Sequence, residues 1–182
     1  HLPGVKLISQ RSAYPHIDVD ACTKRGVLLC SKQGAGKAPS YAAAEMTWAL
    51  IMASARQIVE QNASLKSGQW QMGIGKTLRG RTIGILGYGK ISRVVAGYAK
   101  AFGMNVLVWA SEASRKAATE GGLDVAASRE AFFAAPDIIT VHMRLTPETR
   151  GTITVDDLAR MRPGSLFVNT SRAGLVAPGA LL

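Results

Sequence analysis

The fold of this protein is decided by residues 82–92, which read TIGILGYGKIS. The first five residues have the composition of a buried β-strand, and Gly87-Tyr88-Gly89 follows them directly. The residues beyond the turn recur at helical spacing up to Gly103, namely Ile91, Val94, Val95, Tyr98 and Phe102. A strand, a glycine turn and a helix in this order predict a phosphate-binding turn.

Each glycine of the turn has a separate physical purpose. Gly87 permits a tight turn, and Gly89 lets the backbone approach a pyrophosphate closely. The first N–H groups of the helix and its dipole can then hold the phosphates. Ser92 replaces a third glycine at a position that needs a small residue for close packing. The alternative interpretation is a glycine turn in some other α/β fold.

The rest of the chain alternates short apolar runs with helical patterns. Strands are predicted at 5–8, 26–30, 106–109, 138–141 and 166–168, and shorter helices at 18–21, 113–120 and 128–135. A loop is predicted at 31–40. One long helix, capped by Ser40 and ending near Gly68, carries Trp48, Ile51, Met52, Ala55 and Val59 at helical spacing. Its high apolar content near Leu50 predicts that both of its sides are covered. The pattern indicates the α/β class, with a Rossmann-type doubly wound parallel sheet.

Composition excludes several functional classes. The chain has 182 residues, 47% of them hydrophobic, and no apolar run long enough to cross a membrane. Its net charge is +10, but the basic residues are scattered, so an anionic small molecule is favoured over nucleic acid. Cys22 and Cys30 have no metal-ligand spacing and suit a cytoplasmic protein with reduced thiols. No metal site, membrane association or signal peptide is predicted.

The residues after the predicted strand at 106–109 bear on which dinucleotide is bound. An acidic residue roughly 20 positions beyond the glycines would bind the adenosine ribose and repel a 2′-phosphate. Ala110 follows Trp109 here, so this position offers no carboxylate to repel a 2′-phosphate. Ser111 and Arg115, further along, are able to bind one. The cofactor is therefore NAD or NADP, with NADP slightly favoured.

Four segments together resemble the D-isomer-specific 2-hydroxyacid dehydrogenases. They are Gly26-Val27 with the later Ala44-Glu45, the Gly87 turn, residues 141–151 (VHMRLTPETRG) and residues 168–174 (VNTSRAG). The resemblance covers nearly the whole chain, and the last two segments make it specific. It implies that the chain is incomplete at both ends. It also implies three parts: the end of a flavodoxin-like substrate domain (1–40), a crossover helix between domains (41–67) and the dinucleotide-binding domain (68–182).

The same resemblance implies roles for individual residues. Arg172 binds and polarises the 2-oxo acid and is the one catalytic residue in the chain, because the family's histidine and glutamate lie beyond Leu182. Lys90 and Ile91 contact the phosphates through their backbone. The cofactor cleft is lined by His142, Met143, Thr149, Thr170 and Ser171. His142 is the alternative proton donor on pKa grounds. Arg144, where the family often has proline, again suits a 2′-phosphate.

The implied activity is hydride transfer between NAD(P)H and a small 2-oxo acid or D-2-hydroxy acid, of the glyoxylate or hydroxypyruvate type. A homodimer joined through the cofactor domain is expected by analogy with the family. Two alternatives stay open at this point. One is a non-catalytic corepressor of the same fold that senses NAD(H), and the other is a nicotinamide-dinucleotide-binding module of another dehydrogenase.

Overall fold

The computed structural model describes residues 3–11, 17–32 and 41–182. The chain divides into two compact units, His1–Pro39 and Ser40–Leu182. In the first unit, strand β1 (Leu7–Arg11) pairs in parallel with β2 (Leu28–Lys32), and helix α1 (Val19–Lys24) lies between them in the chain. The predicted strands and helix are thus present, although β2 continues to Lys32, into the predicted loop. The remainder of that loop, with the Ser40 cap, lies outside the described residues.

The second unit is a five-stranded parallel sheet with helices on both faces, and the strand order is β5-β4-β3-β6-β7. Its strands are β3 (Thr82–Leu86), β4 (Asn105–Trp109), β5 (Asp124–Val125), β6 (Ile138–Val141) and β7 (Leu166–Asn169). Its helices are α2 (Tyr41–Ala55), α3 (Ile58–Lys66), α4 (Lys90–Ala101), α5 (Glu112–Glu120), α6 (Arg129–Ala134) and α7 (Val155–Ala159), followed by a 3₁₀ turn at Ala173–Leu175. The predicted doubly wound sheet is confirmed.

The alternation of side chains along each strand creates two hydrophobic cores. Ile83 and Ile85 of β3 join the core beneath α2 and α4, whereas Leu86 belongs to the core beneath α6 and α7. Phe132 and Phe133 of α6 fill that second core and contact each other edge to face. Because β3 and β6 are buried on both faces, their sequences are nearly continuous apolar runs, and this explains why these two strands were predictable.

The long helix predicted from Ser40 to Gly68 is wrong in one respect, because it is broken into α2 and α3. Gln57 adopts a left-handed conformation with φ of 53°. At the end of α2, the Ala55 carbonyl accepts a hydrogen bond from the Lys76 backbone N–H at 2.6 Å, and Arg56 Nε donates to the Ile74 carbonyl at 3.1 Å. The segment between α3 and β3 therefore supplies hydrogen-bond partners for the Ala55 carbonyl and the Arg56 side chain at the break.

The prediction that both sides of this helical region are covered is also wrong for the single chain. Trp48 packs edge to face on Phe102, with 4.9 Å between ring centroids, so one side of α2 covers α4. The opposite side is exposed, and Val59, expected to face the core, is 69% exposed. The other exposed large apolar residues of this region are Tyr41, Met46, Leu50, Ile58, Leu65, Trp70, Met72 and Ile74.

None of the helices in the described part of the chain combines the length and the hydropathy that crossing a membrane requires.

Candidate dinucleotide and substrate site

Gly87 begins the turn after β3 and cannot be replaced without displacing backbone. Its φ of +89° is strained for any residue with a side chain. A Cβ at this position would also lie 2.8 Å from the carbonyl oxygen of His142, which follows the neighbouring strand β6. The glycine thus allows the ends of the two central strands to approach each other, at the crevice where parallel sheets bind ligands.

Gly89, by contrast, faces open space. A Cβ at this position would meet no atom of the described residues within 4 Å, and its φ of −123° suits any residue. Lys90 and Ile91 form the first turn of α4 just beyond it. Ser92, which replaces the third glycine, is 1% exposed, and its Oγ accepts from the Gly89 N–H at 2.6 Å and lies 3.1 Å from the Gly89 carbonyl oxygen. The serine therefore caps the helix at Gly89, and the positive end of the α4 dipole lies at the same place, where helix N-termini bind anions.

A cavity of about 270 Å³ lies at the carboxyl ends of β3, β4 and β6. Five of the predicted cofactor residues line it, namely Gly87, Ala110, Ser111, Met143 and Thr149. Arg144 lines it as well. Sequence reasoning missed Ser114, Arg129 and Thr146, which also contribute to its wall. The sequence does contain a signal for Ser114, because it follows Ser111 by three residues, about one helical turn, and so lies on the same face of the helix.

Arg115 lies against the end of β4. Its guanidinium carbon is 4.6 Å from the centroid of the Trp109 ring, and its Nε is buried with no hydrogen-bond partner among the described residues. Nearby, Ser111 donates a hydrogen bond to Ser114 at 3.2 Å. A buried guanidinium nitrogen without an acceptor is costly, so this corner of the site favours an anion or another acceptor.

Arg129 is held beside the cavity by long-range contacts. Its Nε and one Nη donate to both carboxylate oxygens of Asp157 at 2.9 and 2.8 Å, and the same Nη donates to the Thr152 carbonyl at 2.6 Å. Burial raises the pKa of Asp157, but hydrogen bonds from Arg129 and from the Thr154 backbone outweigh it and hold that pKa below its usual value. No sequence pattern near Arg129 predicts that it lines the cavity, because its ion-pair partner, Asp157, belongs to another helix.

His142 and Met143 follow β6, but only Met143 reaches the cavity wall. Nε2 of the His142 ring lies 3.0 Å from Oγ1 of Thr140, two residues earlier in the chain. Burial lowers the pKa of His142 to about 4. The ring is therefore neutral near pH 7, which argues against His142 as the proton donor.

We expect the buried His142 to make the protein less stable as the pH falls below about 6.5. The unfolded chain binds this proton with a pKa near 6.5 and the folded chain with a pKa of about 4, so the free energy of unfolding is retained above pH 6.5 and falls between pH 6.5 and pH 4. Between pH 7 and pH 5 the loss attributable to His142 is about 2 kcal/mol. Urea unfolding at both pH values measures it. His142→Gln should lose less stability over this interval, and an equal loss in both proteins would contradict the assignment.

Thr149 forms the turn that follows Met143. Its Oγ1 accepts from the Thr146 N–H at 2.8 Å and donates to the Arg144 carbonyl at 2.7 Å. The hydroxyl is thus engaged within the loop, and Thr149 lines the cavity while fixing the turn that carries Arg144.

Thr170, Ser171 and Arg172 follow β7 and line a second cavity of about 410 Å³. Asn169 holds this loop from both directions, since its Oδ1 accepts from the Ser171 N–H and its Nδ2 donates to the Arg172 carbonyl, each at 3.0 Å. Ser171 Oγ also donates to the Met143 carbonyl, which ties the loop to the end of β6. Arg172 itself is exposed, and its guanidinium donates to the Ser171 carbonyl at 2.9 Å.

The predicted site residues therefore fall into three neighbouring groups at the carboxyl edge of the sheet. The first is the 270 Å³ cavity with its five residues, and the second is the first turn of α4 with Gly89, Lys90 and Ile91. The third is the loop after β7, which ends in Arg172. The His142 side chain is not among the residues that line either cavity. An anion-binding turn beside an exposed guanidinium can hold a phosphorylated ligand and a small carboxylate together.

Comparison with known proteins gives one consistent result. Residues 48–182 match the family model of the D-isomer specific 2-hydroxyacid dehydrogenase, NAD binding domain. The chain is 35% identical to a glyoxylate reductase of Aeropyrum pernix, over 99% of this chain and 56% of that protein. It is 36% identical to a D-3-phosphoglycerate dehydrogenase of Mycobacterium leprae, over 98% of this chain and 34% of that protein.

A solved structure extends the similarity to three dimensions. The phosphoglycerate oxidoreductase of Vibrio cholerae O395 superimposes with a TM-score of 0.92 at 46% identity, over 100% of this chain and 58% of that one. The chain thus spans little more than half the length of the first relatives it matches. The strand order, the glycine turn and these matches lead to one conclusion: the chain belongs to the D-isomer-specific 2-hydroxyacid dehydrogenase family and carries its NAD-binding domain.

Proposed function

We propose that the protein containing this chain is an oxidoreductase that transfers hydride between NAD(P)H and a small 2-oxo acid or D-2-hydroxy acid, of the glyoxylate or hydroxypyruvate type. The observation that carries the proposal is the exposed guanidinium of Arg172, fixed on a hydrogen-bonded loop beside the dinucleotide cavity. A planar guanidinium binds a carboxylate through two parallel hydrogen bonds, and it can polarise the adjacent carbonyl group.

The residues around the glycine turn fit a dinucleotide. Open space at Gly89 leaves room for a pyrophosphate, and the first N–H groups of α4 point out of the helix end beside it. Gly87, Ala110, Ser111, Met143 and Thr149 are proposed to hold the adenosine half in the 270 Å³ cavity. Thr170 and Ser171 are proposed to flank the nicotinamide half, next to Arg172. The bound nicotinamide supplies the hydride, while Arg172 binds and orients the acid.

NADP is the slightly favoured dinucleotide. Ala110 provides no carboxylate to repel a 2′-phosphate, and Ser111, Ser114 and Arg144 surround the same cavity with hydroxyl groups and a positive charge. Arg115 stacks on Trp109, which also lines this cavity, and so brings a second positive charge to the end of β4. We therefore propose that Ser111, Arg115 and Arg144 bind the 2′-phosphate.

Placing an acid at Ala110 should reverse this preference. We expect Ala110→Asp to raise the Kd for NADPH by about tenfold or more, because the carboxylate would face a doubly charged phosphate, and to leave NADH binding equal or tighter. Fluorescence titration with each dinucleotide measures both constants. Ala101→Asp, at the exposed end of α4, adds the same charge away from the cavity and serves as the control. Wild-type protein that binds only NADH would contradict the NADP proposal.

The proposal extends to the organisation of the protein. Residues 1–40 are assigned to the end of a substrate domain and 41–67 to the crossover between domains, supported by the separate β1-α1-β2 unit.

A homodimer is supported by the exposed apolar side of α2 and α3, which includes Met46 and Leu50, because a patch of this kind marks an interface. Sedimentation of the full-length protein at the mass of one protomer would contradict the dimer. Two free cysteines support a cytoplasmic location, which cell fractionation tests.

An absorbance assay of reduced nicotinamide tests the activity. The full-length gene product is mixed with NADPH or NADH, and glyoxylate or hydroxypyruvate is added. We expect oxidation of the nicotinamide to depend on the 2-oxo acid. Tight binding of both dinucleotides without turnover of any small 2-oxo acid would contradict the enzyme proposal and favour a protein that senses the dinucleotide.

A further inference from the structure

Thr47 is a fully buried polar residue in the middle of α2. Its Oγ1 donates to the Ala43 carbonyl, one turn earlier in the helix, at 2.8 Å. The same oxygen lies 2.7 Å from Oγ1 of Thr170, in the loop after β7. A hydroxyl buried in a helix that packs on the sheet is expensive unless it is fully hydrogen-bonded, so both contacts matter.

The direction of the second hydrogen bond follows from the proton count. A threonine hydroxyl carries one proton and two lone pairs, and Thr47 directs its proton to the Ala43 carbonyl. Thr170 must then donate its own proton to Thr47. This fixes the rotamer of Thr170 and leaves the side chain no freedom to turn toward solvent.

Thr170 stands two residues before Arg172, so this hydrogen bond anchors the loop that carries the guanidinium. The other restraints tie the same loop to β7, through Asn169, and to the end of β6, through Ser171. Thr47 adds a hydrogen bond between this loop and helix α2. Thr47 is therefore the attachment that this loop receives from α2, two residues before Arg172.

We propose that Thr47 is a positioning residue that acts through Thr170 to hold Arg172 where it binds the 2-oxo acid. The proposal rests on the proposed function for the role of Arg172. Thr47 itself touches neither acid nor dinucleotide and is not a catalytic residue. Small displacements of a guanidinium that makes two parallel hydrogen bonds weaken both, so the loss should appear in binding of the acid.

The test compares Thr47→Val, which has the same shape without the hydroxyl, with Thr47→Ser, which keeps it. In the full-length protein we expect Thr47→Val to raise the KM for the 2-oxo acid and lower kcat/KM by about five- to thirtyfold, the effect of one lost hydrogen bond. The Kd for the dinucleotide should rise by a smaller factor than the KM for the acid, because Thr170 and Ser171 are proposed to flank only its nicotinamide half. Thr47→Ser should restore kcat/KM. Thr119→Val is the matched control, because exposed Thr119 makes the same kind of hydrogen bond to the Arg115 carbonyl.

A second measurement does not depend on activity. Amide hydrogen exchange of the peptide that contains residues 169–175 should be at least about fivefold faster in Thr47→Val than in wild type or Thr47→Ser. Unchanged exchange of this peptide overturns the proposal even if the protein turns over no 2-oxo acid. In an active protein, an unchanged KM for the acid, or an equal loss in Thr47→Ser or Thr119→Val, also overturns it.

Discussion

Replacing Arg172 with alanine is expected to lower kcat/KM for a 2-oxo acid by at least about a hundredfold. The side chain is exposed at the carboxyl end of β7, and its loop is fixed on both sides, so the guanidinium is placed before the acid arrives. Loss of a preorganised pair of charge-assisted hydrogen bonds to the reacting group removes stabilisation that the rest of the site does not replace. Steady-state kinetics with saturating reduced dinucleotide measures the effect.

Two further variants separate chemistry from charge. Arg172→Lys keeps the charge but not the planar pair of donors, and we expect it to recover only a small part of the activity. Arg162→Ala removes the same charge from an exposed arginine that pairs with Asp137 at 3.2 Å, away from the cleft. It should leave kcat/KM within about twofold, since an exposed ion pair contributes little. Arg172→Ala with near-wild-type kcat/KM and unchanged KM would show that this arginine does not bind the acid.

Replacing Gly87 with alanine is expected to have the largest effect on the fold. The new methyl group would lie 2.8 Å from the His142 carbonyl oxygen and 3.0 Å from Met143 Cγ, in a backbone conformation of positive φ. Strain and overpacking together cost about 2 to 5 kcal/mol. Relief of the contact also requires β3 and β6 to move apart at the crevice, so dinucleotide affinity should fall with stability. Urea unfolding and fluorescence titration measure the two losses.

The neighbouring glycines provide matched controls. The methyl group of Gly89→Ala would meet no atom in the described part of the chain, so the free energy of unfolding should stay within about 0.5 kcal/mol of wild type while dinucleotide binding weakens. Gly97→Ala, in the exposed middle of α4, should stabilise the helix by up to about 1 kcal/mol and leave binding unchanged. Equal loss of stability in Gly87→Ala and Gly89→Ala would contradict this account of the turn.

Much of the fold was predictable because its signals are local. Continuous apolar runs at 82–86 and 138–141 identify strands buried on both faces. The two-residue strand β5 was not predicted, since Asp124-Val125 is too short to produce a pattern. The family assignment followed from the order of short motifs and is confirmed by the family match.

The features that were missed depend on contacts between distant positions. The helix break at Gln57 is accompanied by a hydrogen bond between Lys76 and Ala55, and no residue near the break signals it. Arg129 enters the cavity wall because Asp157 holds it there. The position of the Arg172 loop is likewise set from α2, by Thr47. Helical periodicity indicates which face of a helix is apolar, but it does not indicate which residues from distant parts of the chain contact that helix.

The central position of β3 has a consequence for the order in which the chain acquires structure. Ile83 pairs with Val106 on one side, the next strand along the chain, and with Ile138 on the other, much further along. Closing a short loop costs less entropy than closing a long one, so β3, α4 and β4 can assemble first as a unit. The crevice between β3 and β6 is completed only when the later strand docks. During synthesis the phosphate-binding turn therefore forms early, whereas β6, on the opposite side of the cleft, docks later. Until β6 docks, the apolar edge of β3 is exposed and prone to aggregation.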